Sequence, residues 1–275
     1  MSVLVTWLSM LPTTIAVLVA IAGAGLISGF CMIIVHRLIP HALRSLHNDV
    51  AGFLLAIVGV IYAVLLAFIA VAVWESYSAA DALVQTEANL VDDLYRGTVS
   101  LPPNIAHELR EDLYAYTEIV VKSEWPELAG RMPMRVTGWH VLDGFHVRLS
   151  QFHPGDGSEL AAQTSMLRQL NQLYDVRRGR FHAAASNLPE ILWWNLLAGA
   201  VILVLFSCLF GAPRFYMHGV MVILLGASIG LVLMLIVLLD NPFGGSSHVS
   251  SEPFESLSRT VETMDYPHAP PNLKP

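Results

Sequence analysis

Three arginines, Arg177, Arg178 and Arg180, stand within four positions just before a long apolar run. Repeated around an assembly, such a cluster can raise the local anion concentration at the mouth of a pore. The same residues can equally contact anionic lipid headgroups and help to set membrane topology. The carboxylates Glu87, Asp92 and Asp93 are spaced for acid/base chemistry, but they fall on a helix whose opposite face is apolar, so the expectation is a solvated face. Asp240 closes an apolar run, where a carboxylate either lines an ion path or sits among headgroups. The chain has 11 histidines, yet no HxxxH or HExxH pair, and His36, His41 and His47 share one loop at spacings that do not stack on a helix. Cys31 and Cys208 both lie inside apolar runs, where thiols behave as small hydrophobes. No nucleophile motif, phosphate loop or dinucleotide fingerprint occurs. The expectation is no enzyme, no cofactor and no metal.

Composition points to the bilayer as solvent. Of 275 residues, 55% are hydrophobic and only 13% charged, against about 25% charged in an ordinary soluble domain. The net charge of -7 offers no basic field, so no nucleic-acid partner is expected.

The stretch Gly52 to Trp74, GFLLAIVGVIYAVLLAFIAVAVW, reaches about 34 Å as a helix and can cross a hydrocarbon core of about 30 Å. Gly52, Ala56, Gly59, Ala63 and Ala67 recur every three or four residues, a stripe that lets another helix approach closely. Ile57, Val60, Val64 and Phe68 form a bulky stripe beside it, facing lipid or a pore. Ile15 to Val35 is a second span, with Gly23, Gly25 and Gly29 in its middle, and is expected to be a retained helix rather than a signal peptide. The basic connection His36 to Asp49, interrupted by Pro40, makes these two spans an antiparallel hairpin. Two further spans, 188–211 and 219–239, form a second hairpin, with Gly226 and Gly230 at close-packing spacing. Trp74, Trp193 and Trp194 are placed for an interfacial aromatic belt.

Between the hairpins, residues 75–187 read as a helical soluble domain. The second span runs on as an amphipathic helix through Ala80, Val84, Ala88, Val91 and Leu94. Asn104 is the expected N-cap of the next helix, which buries Leu109, Leu113, Tyr116 and Val120. The segment EWPELAGRMP reads as a loop, 136–152 as a helix and 158–186 as a longer one. The tail, 241–275, is rich in Pro, Ser and Gly, with periodicity over 254–264 and an expectation of disorder in its last ten residues. The fold class is therefore all-α: four transmembrane helices as two hairpins with a helical domain inserted between the second and third spans. Lysine and arginine counts near the spans balance on the two sides and do not orient the chain.

This layout, with GVIYAVLLAFIAVAVWESYS in the second span, LPEILWW opening the third and DNPFGG after the fourth, resembles the bestrophin-like domain family, itself distantly similar to bestrophin anion channels. Asn241, Pro242, Phe243 and Gly244 stand where bestrophins carry the same four letters. The resemblance implies a homo-oligomer, five subunits in bestrophins, with the soluble domain and both termini in the cytosol of a cell-membrane protein. It also implies inorganic anions as permeant partners and a neck of apolar side chains on the second span, for which Ile57, Val60, Val64 and Phe68 are candidates. Animal bestrophins carry an acidic, calcium-binding run after the motif; here Gly245 to Ser251 replace it, so that site has no counterpart.

Two functions follow. One is an oligomeric, anion-permeable channel constricted at the second span. The other is a non-conducting scaffold, anchored in the lipid bilayer, whose helical domain binds a protein partner.

Overall fold

The computed structural model describes residues 11–40, 44, 48–130 and 137–265. All regular structure among them is helical. The helices are α1 (Thr13–Leu38), α2 (Asn48–Gly97), α3 (Pro103–Ile119), α4 (Trp125–Ala129), α5 (Thr137–Gln151), α6 (Gly157–Ala185), α7 (Glu190–Cys208), α8 (Phe215–Leu239) and α9 (Glu252–Asp265). Four of them, α1, the helix beginning at Asn48, α7 and α8, are long and apolar enough to cross a membrane. The chain divides into two compact units, Met1–Tyr77 with Asn187–Asn241 and Gly245–Ser247, and Ser78–Ser186 with Pro242–Gly244 and His248–Pro275.

In the first unit, α1 and α8 pack antiparallel along glycines. Gly25 and Gly29 lie against Ile223, while Gly226 and Gly230 lie against the turns carrying Ala20, Ala24 and Ser28. Without water to drive helices together, such close approach gives dispersion contacts their reach. The glycine pair of α8 is thus consumed inside the chain. The parts of α2 and α7 in this unit are also antiparallel, with Gly52 near Phe210, Gly59 near Leu203 and Gly199 under the Tyr62 ring. Helix ends are closed by side chains. Asn48 brackets Gly211, its Oδ1 accepting from Gly211 N at 2.9 Å and its Nδ2 donating to Gly211 O at 3.2 Å. Arg44 donates to the Cys208 and Phe210 carbonyls at 3.5 and 3.4 Å, satisfying acceptors at the end of α7. Asp240 accepts from the Leu188 backbone at 2.7 Å, so this carboxylate caps the approach to α7.

In the second unit, Val84, Val91 and Leu94 of α2 share a core with Leu109, Leu113 and Tyr116 of α3, Leu142, Phe145 and Leu149 of α5, and Met166, Leu170 and Leu173 of α6, all essentially sealed. Helix α3 begins at Pro103 with Pro102 at its cap. The expected Asn104 cap is displaced because proline, lacking a donor, is pre-set for the first helical turn. The segment expected as a loop is largely helical: a widened π-turn, Val120–Glu124, leads into α4. Residues 131–136 lie outside the described residues, as do His41, His47 and the last ten residues. Asp156 caps α6 by accepting from Glu159 N at 2.8 Å, and Glu159 reaches back to Gly155 N at 2.6 Å. The third span starts and ends inside the expected 188–211, while the fourth begins four residues earlier than expected, at Phe215. Trp193 is buried within the first unit, whereas Trp74 and Trp194 are exposed.

A Cβ on Gly230 would lie 2.8 Å from the Ala20 carbonyl oxygen, and one on Gly23 would meet nothing within 4 Å. Gly230→Val therefore forces α1 and α8 apart and is expected to cost about 1–3 kcal/mol, read as a lower midpoint of thermal unfolding in detergent. Gly23→Ala should leave that midpoint unchanged or slightly higher.

Candidate functional site

Two regions concentrate what the sequence singled out: the apolar part of α2 and the arginines of α6. Along α2, Ile57, Val60, Val64 and Phe68 are 43, 65, 49 and 73% exposed, an uncovered apolar stripe. The opposite side, Tyr62, Leu66, Ile69 and Val73, is buried in the first unit. Tyr62 anchors it, its hydroxyl donating to the Leu196 carbonyl at 3.0 Å.

The small-residue stripe packs differently from the expectation. Gly52 and Gly59 are half-buried, but Ala56, Ala63 and Ala67 are exposed. The reason is complementary size: Gly199 on α7 opens room for the Tyr62 ring, so the side of α2 that carries Tyr62, Leu66, Ile69 and Val73 turns inward. Two apolar strips of α2, one of alanines and one of larger side chains, are left facing outward.

The arginine cluster also departs from the expectation. Arg178 is exposed and pairs with Asp175 one turn back on α6. Arg177 and Arg180 are fully buried and contact neither lipid nor solvent. They meet Glu87, expected on a solvated face but itself fully buried, and Glu124. Arg180 forks onto Glu87, with Nε to Oε2 at 2.6 Å and Nη2 to Oε1 at 3.1 Å, and Nη2 also reaches Glu124 Oε2 at 2.8 Å. Arg177 forks onto Glu124, with Nη2 to Oε1 at 2.5 Å and Nη1 to Oε2 at 3.1 Å. Tyr116 joins the two halves, accepting from Arg177 Nη1 at 2.8 Å and donating to Glu87. Aromatic faces close the cluster: Arg177 lies 4.8 Å from the Trp139 and Phe181 ring centres, and Arg180 lies 5.6 Å from that of Trp125. Asp92, by contrast, stays partly exposed with Arg96.

Two guanidiniums and two carboxylates make a neutral set, so the burial is sustainable. Burial pushes the Glu124 carboxyl up, but the hydrogen bonds and charges of Arg177 and Arg180 outweigh it and hold the group below its ordinary 4.5. Burial, reinforced by the Glu87 charge, holds the Tyr116 phenol well above its ordinary 10.0. Gly138 of α5 permits this density, since a Cβ there would stand 3.1 Å from Arg177 Cζ. Sequence spacing alone gave no sign of the cluster, although Glu87 and Glu124 falling on apolar faces was a usable signal.

The Asn241–Gly244 motif builds a turn whose Phe243 ring packs edge-on to Trp125 at 5.8 Å between ring centres. Val249 N donates to the Pro242 carbonyl at 2.7 Å, and Trp125 Nε1 to the Val249 carbonyl at 3.3 Å. The turn anchors aromatic packing. Among the described residues, no three metal-ligating side chains are grouped.

Removing one charge from the cluster strands its partner. Glu87→Gln is expected to destabilise the second unit by about 3–5 kcal/mol, measured by tryptophan fluorescence of the full chain in denaturant. The pH response follows from the two shifts. Glu124, lowered on folding, contributes stability above pH 4.5 that is lost as pH falls through its depressed value. Tyr116, raised on folding, contributes stability that is complete below pH 10 and drains away as pH rises further. The contribution of these two groups should be flat between these limits and fall on both sides, and Tyr116→Phe should remove the part of the alkaline loss contributed by this phenol.

The chain matches the Bestrophin-like domain family over residues 22–254. No curated protein matches it. Among solved structures, a variant of a bacterial bestrophin homologue from Klebsiella pneumoniae superposes with a TM-score of 0.69 at 16% identity, covering 89% of this chain and 98% of that one. A second variant of that homologue gives 0.67 at 17% identity over 88% and 99%, and a protein described only as a membrane protein gives 0.68 at 17% over 89% and 98%. At such identities the likeness establishes the fold. With four apolar helices, a shared fold and a family match over most of its length, this chain belongs to the Bestrophin-like domain family.

Proposed function

We propose that this chain assembles as a homo-oligomer that conducts inorganic anions across a cell membrane. The observation that carries this reading is the uncovered apolar surface of α2. Ala56, Ala63 and Ala67 form a shallow strip where a second copy can approach closely, and the adjacent Ile57, Val60, Val64 and Phe68 then turn toward the axis of the assembly. A ring of such side chains makes a narrow apolar neck, which gates by excluding water. Family membership supports the same arrangement, as does the likeness to a bacterial bestrophin homologue. By the same analogy the assembly has five subunits, the spans form two hairpins around the helical domain, and that domain lies with both termini in the cytosol. The arginine cluster takes no part as an anion attractor, because Arg177 and Arg180 are neutralised by Glu87 and Glu124.

Purified protein in liposomes is expected to pass chloride in a flux assay, and single-channel recording should resolve a selective conductance. Val60→Ala and Val64→Ala, by widening the neck, should raise that conductance several-fold without changing oligomer size. Silent bilayers containing assembled oligomer, over several anions and both polarities, would favour the scaffold instead.

A further inference from the structure

Helices α1 and α8, packed through their glycines, leave a groove of about 500 Å³ along one side of their seam. Leu26, Phe30 and Ile33 of α1 form one wall, and Phe215, Tyr216 and Val220 of α8 the other. All six are exposed. Gly219 hollows the groove between them, since a Cβ there would meet only Met32 Sδ at 3.6 Å. Apart from the Tyr216 hydroxyl, every side chain lining it is apolar. One end is charged. Leu26, Phe30, Ile33 and Arg37 recur at helical spacing, so Arg37 stands on the groove face of α1, one turn beyond Ile33. Arg214 immediately precedes Phe215 at the start of α8, and the His36 and Phe215 rings, 4.7 Å apart, hold these two helix ends together. Both arginines are exposed, and among the described residues neither is paired with a carboxylate. We propose that this groove is a site for an anionic phospholipid, with an acyl chain along the α1–α8 seam and the headgroup phosphate held by Arg37 and Arg214.

The groove has the polarity of a lipid molecule. Its apolar length follows two helices long enough to cross a membrane, and its charged end falls where those helices stop, at headgroup depth. A guanidinium matches a phosphate with parallel N–H···O bonds. Two uncompensated positive charges favour a headgroup of net negative charge over a choline headgroup, whose ammonium they repel. Tyr216, 85% exposed, adds a phenol of the kind that sits at the membrane–water boundary. A second copy suits the groove less well. The apolar stretch of α2 proposed above as the contact between copies carries no carboxylate from Gly52 to Trp74, so docking it here would strip water from two arginines without pairing them. The lipid site goes beyond conduction and does not depend on it.

The test is native mass spectrometry of the full chain in detergent, titrated with phosphatidylglycerol or phosphatidylcholine carrying identical dioleoyl chains. Phosphatidylglycerol should bind on the order of tenfold more tightly; equal retention of the two would mean unselective boundary lipid and overturn the proposal. Arg37→Gln with Arg214→Gln, both exposed positions, should abolish the preference, while lysine at both should keep it. A preference that survives the glutamine pair would also overturn it. Gly219→Leu, which fills the hollow, should lower retention of both lipids. Glycerol phosphate, a headgroup without chains, should not compete at equal concentration, and effective competition would show a free-phosphate site instead. Phosphatidylglycerol with a diazirine in its acyl chain should mark the peptides spanning Leu26–Ile33 and Phe215–Ile223 in the assembled protein. Adducts confined to other helices, or protection of these peptides by a second copy, would overturn the assignment. The lipid preference and adduct map of the native chain decide the matter even where Gly219→Leu does not fold.

Discussion

A guanidinium taken out of water must find a carboxylate, and the second unit is arranged around two that did. The desolvation of Arg177 and Arg180 costs several kcal/mol each, which no ordinary apolar packing offsets. Four segments therefore have to converge: α6 with both arginines three residues apart on one face, α2 with Glu87, α3 with Tyr116, and the π-turn with Glu124. The forked geometry fixes angle as well as distance, because two parallel N–H···O bonds tolerate little rotation. Trp125, Trp139 and Phe181 then fill the faces of the guanidiniums that carboxylates leave open.

The π-turn is the local price of that convergence. A turn with an extra residue shifts every following side chain around the helix axis, and here Glu124 and Trp125 are both delivered to the interior. Pro126 fits directly after it. Its missing N–H would break a regular helix in mid-run, but it stands in the first turn of α4, where that donor has no partner in any case. Pro126 is what made the sequence there read as a loop, whereas the helical course runs on through it to Ala129. The same limit applies to Arg177 and Arg180: a charge cluster before a membrane span reads as a surface feature until its partners, 53 and 93 residues away, are known.

For the apolar helices the balance of what could be read is different. Existence and approximate length follow from composition, since an unbroken apolar run must satisfy its own backbone and a helix does so locally. Which face packs does not follow, because polarity marks no boundary between core and lipid. Glycine was a reliable guide in α1 and α8, where backbones touch, and an unreliable one in α2, where glycine on α7 admits a bulky face instead. The few polar side chains settle what glycine leaves open. Tyr62 must turn to a carbonyl, Arg44 and Asn48 to the end of α7, and Asp240 to its beginning.

That pattern bears on how the proposed pathway can select its ion. The buried arginines are spent on glutamates, and Arg178 is held by Asp175, so the cluster before α7 supplies no fixed positive field. The uncovered face of α2 from Phe53 to Val71 is apolar. A neck made of such residues can discriminate by width and by the work of stripping water from an ion, terms that scale with ion size and hydration rather than with a binding charge. An ion in such a neck must exchange water for methyl groups. In the proposed channel that barrier would be set by side-chain volume at Val60 and Val64, where a change of a methyl group or two would decide whether water bridges the gap.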